Sequence, residues 1–191
     1  MPPSRKRRLG SRYAVLGMLS MGLKTGYAMK KHVEGNIGHY WSESYGQIYP
    51  TLRQLVDEGL ATCAEEKRKG KPMRNVYAIT RSGRKELRAW LAVPPEPQPQ
   101  RSELLLKLSF GDRVASETCQ KLIRDHRQQC ERDLSYLGEI ESALREPPLK
   151  HRDQPYWLMT LRHGRAVREA ELAWCDETLE HLRQLAAEGK R

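Results

Sequence analysis

The sequence predicts a mainly α-helical chain with one small β-hairpin, divided into a basic N-terminal unit and a helical C-terminal one. Three observations carry that reading: uneven charge, a proline-rich divider, and apolar residues at helical spacing on both sides of it. Residues 1–92 hold 18 Lys and Arg against 7 Asp and Glu, whereas residues 93–191 hold 16 against 17. Cations clustered in one half point to a polyanionic partner for that half alone, because they release counterions from a phosphate backbone. Apolar residues make up 38% of the chain and Phe occurs once, which suits two modest cores plus an interface better than one compact globule. An oligomer is expected.

Residues 1–12 contain the run Ser4-Arg5-Lys6-Arg7-Arg8 with no cleavage-site pattern after it, so they read as a flexible basic arm. The longest uncharged stretch, Tyr13 to Leu23, falls short of the roughly 20 residues a membrane span needs. A cytoplasmic protein with no membrane partner is expected. The folded head then runs over residues 13–92. Val15, Leu16, Met18 and Leu19 share a first helix, Gly22 to Gly26 breaks it, and Thr25 caps a second carrying Tyr27, Met29 and Val33.

A third helix has legible ends. Ser44 and Gln47 fit a capping box, and Gly59 stands where a left-handed residue closes a helix. Ile48, Leu52, Leu55 and Val56 then face inward, leaving Tyr45, Gly46, Gln47, Tyr49, Pro50, Arg53 and Gln54 outward. Pro50 sits inside this helix and should loosen its first turn. Leu60 to Glu65 and Asn75 to Ile79 read as short strands, the second clearly alternating, around a basic turn, Glu66 to Arg74. Thr80 caps a fourth helix with Leu87, Trp90 and Leu91 on its inner face, and residues 93–101 form the proline-rich linker.

Three helices followed by a hairpin with a basic tip is the winged helix-turn-helix plan, whose third helix enters the major groove of DNA. Gln47, Arg53 and Gln54 carry groups that read adenine and guanine edges. Tyr45 and Tyr49 can reach phosphates or pack against neighbouring helices, and Pro50 with Gly46, beside the Ser44 cap, suits either close approach of the DNA-binding helix end to a rigid surface or a mere kink. Lys67, Arg68, Lys69, Lys71 and Arg74 supply the wing's charge.

Residues 102–191 are helical. Cys119, Ile123, His126, Cys130, Leu134, Leu137, Ile140 and Leu144 recur at three-to-four spacing, and Leu158, Leu161, Leu172, Cys175, Leu179 and Leu182 form a second stripe. Two seams of that length suggest a helical dimerisation domain, with Cys119, Ile123, Cys130, Leu134, Leu137, Leu172, Leu179 and Leu182 at a homodimer interface. The four cysteines show no paired spacing, so neither a disulfide framework nor a zinc knuckle is expected. His126 and Cys130 do lie four apart, as two metal ligands on one helix face would. Both also belong to the apolar stripe, so packing is the favoured reading and no metal or cofactor is expected. No phosphate loop, nucleophile elbow or acid/base pair appears, which argues against an enzyme.

The segment Tyr40 to Leu60, built around Ser44-Tyr45-Gly46-Gln47 and Tyr49-Pro50-Thr51-Leu52-Arg53, resembles the signature of PadR-family transcriptional regulators. Thr25 to Met29 resembles that family's second-helix opening, and Asn75 to Thr80 with Gly83, Leu87, Trp90 and Leu91 its wing return and fourth helix. Arg101 to Gly111 is similar to the start of the dimerisation domain in the virulence-regulator-like subfamily. The resemblance implies a homodimeric regulator, often a repressor, on a palindromic double-stranded DNA operator. In some members a small aromatic or hydrophobic effector releases the DNA. A non-specific architectural or RNA-binding winged-helix protein is the competing reading.

Overall fold

The computed structural model describes residues 5–38, 40–41, 44–68, 71–97, 101–146 and 151–188. It comprises two compact units with their boundary between Pro97 and Gln98. In the first unit, α1 (Arg5–Ser20), α2 (Gly26–His32) and α3 (Tyr45–Asp57) precede a two-stranded antiparallel ribbon of β1 (Ala61–Arg68) and β2 (Lys71–Ile79), and α4 (Arg81–Leu91) closes it. This is a winged helix. A π turn, Val33–Ile37, extends α2 through the stretch the sequence leaves loose.

The helix stops work as their residues dictate. Gly22 (φ 86°) ends α1, with the Leu23 N–H donating to the Met18 carbonyl at 3.1 Å. Gly59 (φ 69°) ends α3 in the same way, with the Leu60 N–H on the Leu55 carbonyl at 2.8 Å. Both are αL closures that glycine adopts without steric cost. The Thr25 and Thr80 hydroxyls accept the N–H groups of Ala28 and Gly83 at 3.2 and 3.1 Å. Between these corners Leu16, Met29, Ile48, Leu52 and Leu55 are fully buried in one core.

Residues 5–12, expected in a flexible arm, belong to α1. No helix breaker interrupts Arg5 to Leu9, and straight-chain residues lose little freedom in a helix. Gly10 lies so close to the Trp41 ring that an added Cβ would come within 2.2 Å of it. Arg12 braces three helices. Its guanidinium donates to Glu86 of α4 at 3.0 and 2.7 Å and pairs with Glu58 just after α3. Burial raises the Glu58 pKa, yet hydrogen bonds from Gln54 and Arg12 and the Arg12 charge outweigh it and hold the carboxyl below its ordinary 4.5. A depressed carboxylate stabilises the fold above its unfolded pKa and loses that contribution as pH falls through the folded one. Arg12→Ala should therefore cost about 1 kcal/mol at pH 7 after solvent screening, and less in acid. Urea melts at pH 7 and pH 3.5 check this: an equal loss at both would exclude Glu58 ionisation as the cause.

The wing differs from expectation in length. Its strands continue through most of the basic turn: Glu66, Arg68, Lys71 and Arg74 stand in the ladder, and Lys67 lies at the irregularity between Glu66 and Arg68. Glu66 faces Arg74 and pairs with it, an opposite-charge cross-strand contact that favours continued pairing. Pro72 is compatible because a two-stranded ribbon consists only of edges.

In the second unit α5 (Glu103–Leu108), a 3-10 turn, α6 (Ser116–Arg145) and α7 (Gln154–Glu188) follow. The two long helices run antiparallel. Ser116 Oγ donates to the Leu182 carbonyl at 3.2 Å, Arg127 reaches Asp176 at 2.7 Å and Arg168 reaches Asp133 at 3.0 Å. Their seams bury each other within a single chain. Cys119, Ile123, Cys130, Leu137 and Leu179 are covered within a single chain, and Leu134, Leu172 and Leu182 are half-covered. Leu104 and Leu108 of α5 help close one end. Among the described residues no helix is long and apolar enough to cross a membrane.

Candidate nucleic-acid interface

The inward stripe Ile48, Leu52 and Leu55 fixes how α3 sits on the core, and therefore what it shows outside. Tyr45, Gly46, Tyr49, Pro50, Arg53 and Gln54 are all exposed. Helix geometry continues through Pro50, whose missing N–H leaves the Gly46 carbonyl without its usual donor.

Two tyrosines cover the N-terminal half of this face. Their rings stack, with centroids 6.1 Å apart and planes 22° from parallel. Tyr49 also lies on Gly26 of α2, where an added Cβ would meet its ring at 2.7 Å. It is thus anchored on one side and open on the other.

The two glutamines are less free than their positions suggest. Gln47 Oε1 accepts from the Ser44 backbone N–H and hydroxyl, each at 3.1 Å, closing the expected capping box. Gln54 donates to Glu58 at 2.8 Å. Arg53 differs: among the described residues it has no carboxylate partner, and it lines a groove between α3 and the ribbon.

That groove holds about 360 Å³ and is lined by Tyr49, Arg53, Val56 and Asp57 from α3 with Cys63, Asn75 and Tyr77 from the strands. Cys63 stands opposite Tyr77 in the ladder. Burial pushes the Tyr77 phenol up, reinforced by Cys63, so it stays protonated. The strand residues were missed because alternation marks a strand's inward side without saying what lies beyond its partner. Within the wing, Lys67 is exposed and Arg74 is held by Glu66. Arg68 and Lys71 pair through the backbone ladder, and Lys69 lies outside the described residues.

Comparison with known proteins matches this architecture unit by unit. The model of the transcriptional regulator PadR-like family matches residues 15–89, and that of the virulence activator alpha C-terminal domain matches residues 100–183. The negative transcriptional regulator PadR of Bacillus subtilis is 33% identical over 135 residues, which span 70% of this chain and 74% of the relative. Its crystal structure in complex with operator DNA has a TM-score of 0.79 at 27% identity, covering 90% of this chain and 98% of that one. The same protein in complex with p-coumaric acid gives 0.73 at 28%, over 90% and 98%. The Vibrio cholerae virulence activator AphA gives 0.74 at 28%, over 92% and 99%. With both units matched and a relative this similar over most of its length, the chain belongs to the PadR-like family of transcriptional regulators.

Proposed function

We propose that the chain is a homodimeric, sequence-specific DNA-binding regulator, a repressor that a small aromatic or hydrophobic effector releases from a palindromic operator. The observation that carries this reading is the open outer face of α3, with Arg53 lining a groove shared with the wing and held by no carboxylate among the described residues. A guanidinium so placed can donate two hydrogen bonds to a guanine edge while the wing cations lie on phosphates. Operator binding by the Bacillus subtilis relative supports DNA as the partner, and its name supports repression. Its p-coumaric acid complex supports the effector. Leu105, Leu106, Phe110, Tyr156 and Met159 remain exposed in the single chain and support a second copy as their cover.

Footprinting with the purified protein tests the reading. One protected duplex site with two half-sites about 34 Å apart is expected, because each copy places one recognition helix. Uniform coating of DNA would instead make this an architectural binder. Affinity should fall roughly 10³- to 10⁵-fold between about 50 and 200 mM salt if the dimer neutralises about 6 to 10 phosphates. Replacing Lys67, Lys69 and Lys71 with Ala should flatten that dependence, and an unchanged slope removes the wing from the interface. Repeating the footprint with aromatic acids, p-coumaric acid first, should erase it; survival in all of them removes the effector.

A further inference from the structure

The helical unit brings together three side chains of metal-ligating type that play no part in reading DNA. His126 and Cys130 stand one turn apart on α6, and Glu171 comes from the facing side of α7. The Cys130 sulfur lies 3.3 Å from Glu171 Oε2 and 3.7 Å from His126 Nε2, and the latter two atoms are 3.8 Å apart. A tetrahedral ion with sulfur at about 2.3 Å and nitrogen and oxygen at about 2.0 to 2.2 Å needs its ligands about 3.3 to 3.6 Å from one another. The three atoms already have nearly that spacing, without any backbone movement.

We propose that His126, Cys130 and Glu171 form a binding site for one divalent ion of the Zn²⁺ or Co²⁺ class, joining α6 to α7. The donor set selects the ion: sulfur and imidazole favour these metals over Mg²⁺ or Ca²⁺, which require oxygen ligands. Cys130 is buried, while His126 and Glu171 are about a third exposed, so an ion enters from solvent and keeps water as its fourth ligand.

The exchange balances. Burial and the Glu171 carboxylate push the Cys130 thiol up to about 12, so the metal-free protein holds a neutral S–H donating to Glu171. The entering ion takes the place of that proton, which leaves to solvent, and it gains two anionic ligands and one neutral one. Arg168 also pairs with Glu171 and must release it. It keeps Asp133 at 3.0 Å and so is not stranded. Trp174 meets the His126 ring edge-on, with centroids 6.3 Å apart, and holds it toward the site.

Titrating Co²⁺ alone into the full chain tests the proposal. One ion per chain should bind, with a thiolate-to-cobalt charge-transfer band and tetrahedral visible bands. Cys130→Ser should abolish the charge-transfer band. Both Cys130→Ser and His126→Gln should weaken binding at least about 100-fold, since losing even an outer-shell partner of a metal site costs 10- to 100-fold. Arg168→Gln should tighten binding by freeing Glu171, a gain that a poorly folded variant could not produce. Absence of the band, its survival in Cys130→Ser, or unchanged affinity in His126→Gln would overturn the site. Affinity that stays the same or weakens in Arg168→Gln removes Glu171 from it.

Discussion

Gly83→Ala should destabilise the reading head by about 3 kcal/mol, at the upper end of overpacking costs, and lower DNA affinity through loss of folded protein. Gly83 lies in the first turn of α4, packed against the base of the β-ribbon. An added Cβ would come within 2.2 Å of the Leu60 carbonyl oxygen and 2.9 Å of Ile79 Cγ1. The Leu60 oxygen cannot yield, because it accepts the Thr80 N–H at 3.0 Å. Thr80 in turn donates its hydroxyl to the Gly59 carbonyl at 2.9 Å and caps α4. Relief therefore requires moving α4 off the base of the wing, and with it Trp90, which stacks on Tyr13 of α1 at 4.5 Å. Gly17→Ala is the matched control. It lies inside α1 with nothing within 4 Å of an added Cβ, so the same substitution should stabilise by about 0.5 to 1 kcal/mol. Chemical denaturation of both variants measures the contrast, and equal effects at the two glycines would refute the steric account.

What could be read from the sequence in this head was local. Ser44 with Gln47, Gly59, Thr25 and Thr80 each act within a few residues of themselves, so their caps are visible in the linear chain. The inward stripe of α3 follows from helical period alone. Contacts between distant residues were not visible. Arg12 looks like part of a charge run until Glu58 and Glu86, 46 and 74 residues away, converge on it. His126 and Cys130, read as packing, carry half of the proposed ion site at the right spacing, whereas Glu171 lies 41 residues beyond Cys130. The α6 and α7 stripes were legible as stripes. Periodicity does not say whether a stripe meets its own chain or another, and here each meets the other helix of its own chain.

Arg53→Ala should leave folding within about 0.5 kcal/mol and remove much of the discrimination at one base pair per half-site. A bidentate arginine-to-guanine contact is worth about 1 to 3 kcal/mol, or about 5- to 150-fold between operator and a mismatched duplex. Residue type alone offers three candidates on α3 for this role: Gln47, Arg53 and Gln54. Their existing bonds separate them. Reading adenine requires the carbonyl and amino ends of one amide together, yet the Gln47 oxygen serves Ser44 and the Gln54 nitrogen serves Glu58. Either glutamine must first give up a bond made in the free protein, and that cost subtracts from its discrimination. Arg53 gives up no such bond, since no described carboxylate holds it. Measuring the affinity of wild type and Arg53→Ala for the operator and for single-base variants distinguishes the roles. Loss confined to the operator marks a base reader. Equal loss on every duplex would make Arg53 a phosphate contact and leave sequence reading to the glutamines, after Ser44 and Glu58 release them.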